Sequence, residues 1–209
     1  MPGYSSLAES VQIGIEKNRA ILLQFDESLE LIGEGRSAYV FRIRSTNKAL
    51  KVFFPDHIHV AREEAEIYKI LKGIPYYPTL YDSGENYLVI DFIEGKTLFE
   101  CLVHGIQVSQ EQVNEIDHAL HLARKEGLNP SDIHLRNILI TSDQEIKVID
   151  VARFRQTKQC RQWKDLKSAF YKAYVKPFFP KKIPASILNF IAALYKKSLI
   201  SNVALGNSK

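Results

Sequence analysis

Three oxygen-bearing side chains stand at a spacing that suits phosphate chemistry. Asp132 opens the run Asp132-Ile133-His134-Leu135-Arg136-Asn137, so an acid precedes an amide by five positions. Thirteen positions beyond Asn137, directly after the apolar run Ile146-Lys147-Val148-Ile149, comes Asp150. An aspartate that ends an apolar strand can project its carboxylate into a cleft. Two acids and an asparagine supply the hard oxygen ligands that magnesium prefers alongside phosphate oxygen. One acid is then left to orient or deprotonate a hydroxyl. Taken singly, Asp132 could equally be a helix or turn cap, and Asp150 a turn former. Only their joint order argues for chemistry.

A second group lies upstream. Gly33-Glu34-Gly35-Arg36-Ser37-Ala38-Tyr39-Val40 is a glycine-rich turn between strand candidates. Such a turn lets backbone N–H groups approach phosphate oxygens where a Cβ would intrude, although many Gly-x-Gly turns are plain hairpins. Lys51 follows in Ala49-Leu50-Lys51-Val52. A lysine among apolar strand residues is costly to bury unless it meets an anion; the alternative is a lysine snorkelling from an edge. The next helical segment offers Glu63, Glu64 and Glu66. Glu64 shares a face with Ala61, Tyr68 and Leu71, so it is the glutamate expected to turn inward, with Glu63 and Glu66 solvated.

The elements that must position these groups follow from periodicity. Val11–Ile15 and Ile21–Phe25 read as a hairpin around Lys17-Asn18-Arg19. Leu29–Ile32, Tyr39–Ile43 and Ala49–Phe54 read as three further strands, Val60–Lys72 as a helix, and Thr79–Tyr81 and Tyr87–Phe92 as strands. After Gly95 the pattern becomes helical. Ser109 followed by Gln112 is a capping-box signature for a helix carrying Val113, Ile116 and Leu120. Asn137–Ile140 and Ile146–Ile149 read as a short hairpin, and the remainder of the chain as helix or basic loop. The expectation is an α+β chain: a β-rich part with one helix, a linker near Phe92 to Gly95, and a mostly helical part.

In order and spacing, the glycine turn, Ala-Leu-Lys, the helix glutamate, Leu88-Val89-Ile90-Asp91-Phe92-Ile93-Glu94-Gly95, Asp-x-x-x-x-Asn and Ile-Asp resemble the protein-kinase-like superfamily, from about Leu29 to Asp150. The resemblance is closest to short atypical members: RIO-type kinases and small bacterial serine/threonine kinases. It implies a bilobal fold with a β-rich N-lobe and a reduced α-helical C-lobe. Residues 1–26 would be an N-terminal hairpin extension, 27–94 the N-lobe and 95–209 the C-lobe. It implies ATP and magnesium as cofactors and transfer of the γ-phosphate to a hydroxyl. Gly33 and Gly35 would lie over the phosphates, with Ser37 and Val40 completing that part of the nucleotide site. Lys51 would hold the α- and β-phosphates while paired with Glu64. Asp91, Phe92 and Ile93 would form the hinge beside adenine, with Ile90 behind it. Asp132 would be the catalytic base, and Asn137 and Asp150 would hold the metal. Asp165 resembles the acid that braces the catalytic loop from beneath; alternatively, it offsets local positive charge.

The chain departs from the pattern on the acceptor side. Pro130-Ser131 replaces the usual His-Arg, Val151-Ala152 replaces Phe-Gly, no Ala-Pro-Glu follows, and Arg153–Trp163 is short for a regulated activation loop. These departures imply constitutive activity or control by a partner. His134 stands where protein kinases carry lysine and resembles small-molecule phosphotransferases. Three readings therefore remain: a serine/threonine protein kinase, a sugar or amino-alcohol kinase of the same fold, and a nucleotide-binding pseudokinase or scaffold.

Composition sets the remaining bounds. With 209 residues, 45% hydrophobic and 25% charged, the chain suits one globular domain rather than a disordered one. Cys101 and Cys160 make no metal-like or disulfide framework and read as reduced thiols. No signal-like segment or membrane-length apolar run appears, so cytoplasm is the expected location. Net charge is +4, yet residues 155–209 hold twelve Lys and Arg against the single acid Asp165, a net +11 that leaves −7 for the rest. This basic part, with Tyr171, Tyr174, Phe178 and Phe179 among its lysines, either meets an acidic partner, nucleic acid or anionic lipid, or forms a solvated helix face. His118 and His121 read as ordinary surface or interface histidines.

Overall fold

A computed structural model describes residues 3–17 and 19–206, with 196–206 as backbone alone. The chain begins with a helix, α1 (Tyr4–Ser10), where only a hairpin was expected. Its Leu7 and Ala8 are buried, packed into a core with residues of the later strands. The expected hairpin follows as β1 (Gln12–Glu16) and β2 (Arg19–Gln24), antiparallel; Asn18 of its turn lies outside the described residues. Then come β3 (Leu29–Glu34), β4 (Ala38–Ile43), β5 (Lys48–Phe53), α2 (Ile58–Ile70), β6 (Leu80–Ser83) and β7 (Tyr87–Asp91). The last five strands named make one antiparallel sheet in the order β3-β4-β5-β7-β6.

Strand period decides what faces what. Leu50 and Val52 of β5 enter a core shared with Leu7, Phe41 and Val89. Ala49 and Phe53 point the other way, into a core with Ala61, Ala65 and Tyr68 of α2. Lys51 falls on this second face by alternation, toward α2. The central strand is buried on both faces, which explains its nearly continuous apolar sequence.

Beyond the sheet, β8 (Gly95–Thr97) leads into α3 (Leu98–His104) and α4 (Gln110–Lys125). Both helices start with complete capping boxes, Thr97 with Glu100 and the expected Ser109 with Gln112. The hairpin β9 (Ile138–Thr141) and β10 (Ile146–Val148) joins β8 in a small sheet ordered β10-β9-β8. Finally α5 (Gln162–Ala169) widens into a π turn (Phe170–Tyr174), and α6 runs Ala185–Gly206. Among the described residues, no helix is long and apolar enough to cross a membrane.

The core under α2 continues without a break into the helical part: Ala61, Tyr68 and Leu88 share one buried cluster with Ile116, Leu120, Ile133 and Phe154. Burial of each large apolar side chain contributes about 1.5–3 kcal/mol, so this shared core ties the β-rich and helical parts together. The α+β expectation is met, with antiparallel sheet first and helices after.

Candidate active site

The site is organised around Lys51, which is 9% exposed. Its register places it between Val40 on β4 and Leu88 on β7, aimed at α2. There the ammonium donates to both carboxylate oxygens of Glu64, at 2.9 and 2.7 Å, and to Asp150 Oδ1 at 3.2 Å. Glu64 is fully buried, at 0% exposure, while the Asp150 side chain is about half exposed. Of the three glutamates, Glu64 is the one that turns inward. Glu66 pairs with Lys69 and Glu63 with Arg155 on the surface.

These charges shift one another, and burial works against the charged form of all three. Burial disfavours the Lys51 ammonium, but the Glu64 and Asp150 carboxylates outweigh it and raise its pKa above the ordinary lysine value. The Lys51 charge, working against partial burial, holds Asp150 below the usual carboxylate range. Burial pushes Glu64 upward against the pull of Lys51. Tyr68, one turn after Glu64, is buried beside the Asp150 backbone, and its hydroxyl makes no full hydrogen bond.

The β9–β10 hairpin brings the other two residues together. The backbone N–H of Ile149 donates to Asn137 O at 2.9 Å, continuing the ladder and placing Asn137 beside the strand end that carries Asp150. Asn137 Nδ2 donates to the Asp132 carbonyl at 3.1 Å, so the amide also fixes the loop bearing the first acid. Ser131 is fully buried and donates to Asn129 O at 2.8 Å. Among the described residues, the non-glycine positions with positive φ are Lys17, Ser45, Gln144, Asp132 and Asp150. The first three lie in hairpin turns or at their edges. The last two are the candidate acids, and aspartate is among the few side chains that tolerate this left-handed geometry. Backbone held there is a feature of functional sites.

Two arginines that no local pattern singles out meet Asp132. Arg36, in the glycine turn, reaches Asp132 Oδ2 at 3.3 Å, and Arg153 approaches the same oxygen at 3.6 Å. The available signal was Arg36 standing inside the Gly-x-Gly-x-x-Ala turn, but its target lies 96 residues away in sequence. The turn itself closes through Gly35 N–H to Ala38 O at 2.9 Å, and Ser37 O accepts from Phe54 N–H. A Cβ on Gly33 would meet nothing nearer than Val40 Cβ at 3.7 Å, and one on Gly35 only Ala38 O at 3.4 Å. Neither glycine is demanded by backbone angle or by close packing.

At the expected hinge, Asp91 has its carboxylate occupied by Thr79 N–H at 2.6 Å and the Tyr81 hydroxyl at 2.7 Å. Its backbone N–H donates to Thr79 O at 3.2 Å. Phe92 N–H donates to Asn47 O, and its ring lies under Arg42 at 4.5 Å. Ile93 is half-buried beside it. The expected brace is not where the resemblance put it. Asp165 accepts from Tyr195 at 2.8 Å and pairs with Arg161 at 4.0 Å, rather than with the loop before Asp132. His134 accepts the Arg136 N–H at 3.3 Å, and His118 packs edge-on against Tyr76. Cys101 and Cys160 are both free thiols, the first buried.

No family model matches the chain. It is 51% identical, over 82% of its length and 80% of the relative's, to a Bacillus subtilis protein named "Putative serine/threonine-protein kinase YrzF". It is 28% identical, over 72% of its length and 53% of the relative's, to mitogen-activated protein kinase kinase 10 of Arabidopsis thaliana. A "Probable serine/threonine-protein kinase" of Clostridium acetobutylicum is 30% identical over 58% of the chain, which spans 21% of that protein. The chain therefore belongs to the protein-kinase-like superfamily, with an α+β fold of that kind.

Proposed function

We propose that the chain is an ATP- and magnesium-dependent serine/threonine protein kinase acting in the cytoplasm, of the short kind to which RIO-type and small bacterial kinases belong. The observation that carries this reading is the Lys51–Glu64–Asp150 triad, which holds a charged ammonium in a buried position that phosphate oxygens could share. In this reading Gly33, Gly35, Ser37 and Val40 cover the nucleotide. The backbone from Asp91 to Ile93 borders adenine, and Asn137 and Asp150 hold magnesium. Magnesium, when bound, neutralises charge on the phosphoryl group in transfer. Asp132 accepts the proton of the acceptor hydroxyl, and Asn137 holds its backbone in place. Residues 27–94 and 95–209 form the two lobes, and 1–26 an extension that packs on the first.

His134 favours a second reading, a sugar or amino-alcohol acceptor. One experiment separates the two readings. Purified protein is given ATP labelled at the γ-phosphate, with magnesium, cellular protein and a metabolite panel, and Asp132→Ala serves as control. Label on protein, lost in the variant, supports the kinase reading. ATP consumption stimulated only by a metabolite replaces it with the second. Nucleotide binding without turnover would reduce the chain to a scaffold whose basic face meets an acidic partner or nucleic acid.

A further inference from the structure

Two adjoining clefts of about 240 and 660 Å³ open beside residues 129–133. Both are lined by Arg124, at the end of α4, and Lys164, on α5, and both reach Pro130 and Cys160; Arg161 borders the larger. The carboxylate in the smaller cleft, Asp117, is already engaged by Lys167 and by Trp163 Nε1 at 2.6 Å. Asp165 is shared between Tyr195 and a long contact to Arg161 at 4.0 Å. Among the described residues, Arg124 and Lys164 form no ion pair. Three cations from two elements thus converge on a cleft whose floor includes buried Leu128 and Pro130. Their mutual repulsion is offset only in part, by the long Arg161–Asp165 contact, and an apolar floor screens it less than open water would.

We propose that this cleft binds a phosphate-bearing small molecule, free phosphate or a phosphomonoester, at a site separate from Lys51. Arginine forks match phosphate oxygens bidentately, and a 660 Å³ cleft exceeds what phosphate alone fills, leaving space for the body of an ester. The site bears on the catalytic loop through Asn129, which lines it. Asn129 N–H donates to Phe154 O at 2.6 Å, and its Nδ2 to Gln156 O at 2.8 Å and Lys158 O at 3.0 Å. Its own carbonyl accepts from Ser131, the residue before Asp132. An anion bridging Arg124 to Arg161 and Lys164 fixes residues 154–161 against α4, and through Asn129 against the loop of Asp132. The proposal does not rest on phosphotransfer, because binding and backbone protection are read without turnover.

The test is calorimetric titration of the full chain with inorganic phosphate, glucose 6-phosphate and a single-stranded RNA oligonucleotide at constant ionic strength. Hydrogen exchange of residues 154–161 is followed in parallel. Phosphate or the ester is expected to bind, and Arg124→Ala/Lys164→Ala to weaken that binding by roughly 30-fold or more through lost charge-assisted hydrogen bonds. Lys51→Met should leave the affinity within about twofold, since additive behaviour is expected of distant sites. Bound anion should slow exchange across 154–161. Binding lost in Lys51→Met but kept in the double variant would assign the anion to the nucleotide site and overturn the proposal. Absence of binding, indifference to both variants, or RNA binding tighter than either small anion through the same residues would overturn it as well. Binding with unchanged exchange would refute the coupling to the catalytic loop.

Discussion

Replacing Lys51 by methionine should make the stability of this protein depend on pH in a way the parent does not. Lys51 is 9% exposed and Glu64 0%, and the ammonium lies 2.7–2.9 Å from both Glu64 oxygens and 3.2 Å from Asp150. Removing one partner of a buried ion pair typically costs about 3–5 kcal/mol, because the remaining charge is left uncompensated. Here two carboxylates would lose their shared cation. Asp150 is half exposed and can turn to water, but Glu64 cannot. Glu64 can only take up a proton, and burial already pushes its pKa upward. An acid whose folded pKa is raised above its unfolded value loses stability as pH rises above the unfolded value.

The cost in Lys51→Met should therefore approach about 3 kcal/mol at pH 7.5, a fall in Tm of roughly 6–12 °C for a chain of this size. It should be smaller at pH 5, because lower pH favours the protonated carboxyl that burial of Glu64 already favours. Lys51→Met/Glu64→Gln should recover most of the loss at pH 7.5, because no buried charge remains. Urea unfolding of the two single variants and the double, at both pH values, closes the cycle. An equal loss at both pH values, or a double variant no more stable than Lys51→Met, would refute the reasoning. Phosphotransfer in Lys51→Met should fall by about 10²–10³, the usual cost of losing a preorganised charge at the reacting group.

Other outcomes rest on single contacts. Gly95→Ala would press a Cβ to 2.6 Å from Ile140 O, with backbone on every near side, and should cost about 1–3 kcal/mol in thermal or urea unfolding. Gly33→Ala meets nothing closer than 3.7 Å, so Tm should hold within about 2 °C while ATP affinity falls roughly tenfold by titration. Asp150, whose pKa is lowered chiefly by Lys51, contributes stability above the ordinary carboxylate value and loses it as pH falls through its folded value. Asp150→Asn should accordingly be less stable than the parent at pH 7, with the gap closing below about pH 4; a gap that widens in acid would reverse the assignment. Asn137→Ala removes the donor to the Asp132 carbonyl and should cost about 1–3 kcal/mol in unfolding experiments. It should also raise the magnesium needed for half-maximal turnover.

Much of the site was legible because its logic is local. A lysine among apolar strand residues made a buried anion partner one of two readings of Lys51, and helical spacing selected Glu64 by its neighbours Ala61, Tyr68 and Leu71. The capping box at Ser109 and Gln112 is a matter of four consecutive residues. The order Asp132, Asn137, Asp150 was visible, and the hairpin between the last two was readable from its apolar runs. The helix α1 was not. It is short, without a side-chain cap at its start, and holds through Leu7 and Ala8 packing on a core built from later strands.

Tertiary structure alone decided which charges meet. Lys51 and Asp150 are 99 residues apart, and Arg36 and Asp132 are 96. No periodicity links such positions; only the sheet, the hairpin register and the shared core bring them within hydrogen-bonding distance. The same holds for Asp165, whose partner Tyr195 comes from α6 rather than from the loop of Asp132. The basic excess after residue 154 was plain from composition, but its convergence beside Asn129 depends on how α5 packs against the end of α4. Residue types and local spacing determined which side chains are candidates for phosphate chemistry. Long-range packing determined the pairing of charges, because an ion pair is set by distance in space and not by distance along the chain.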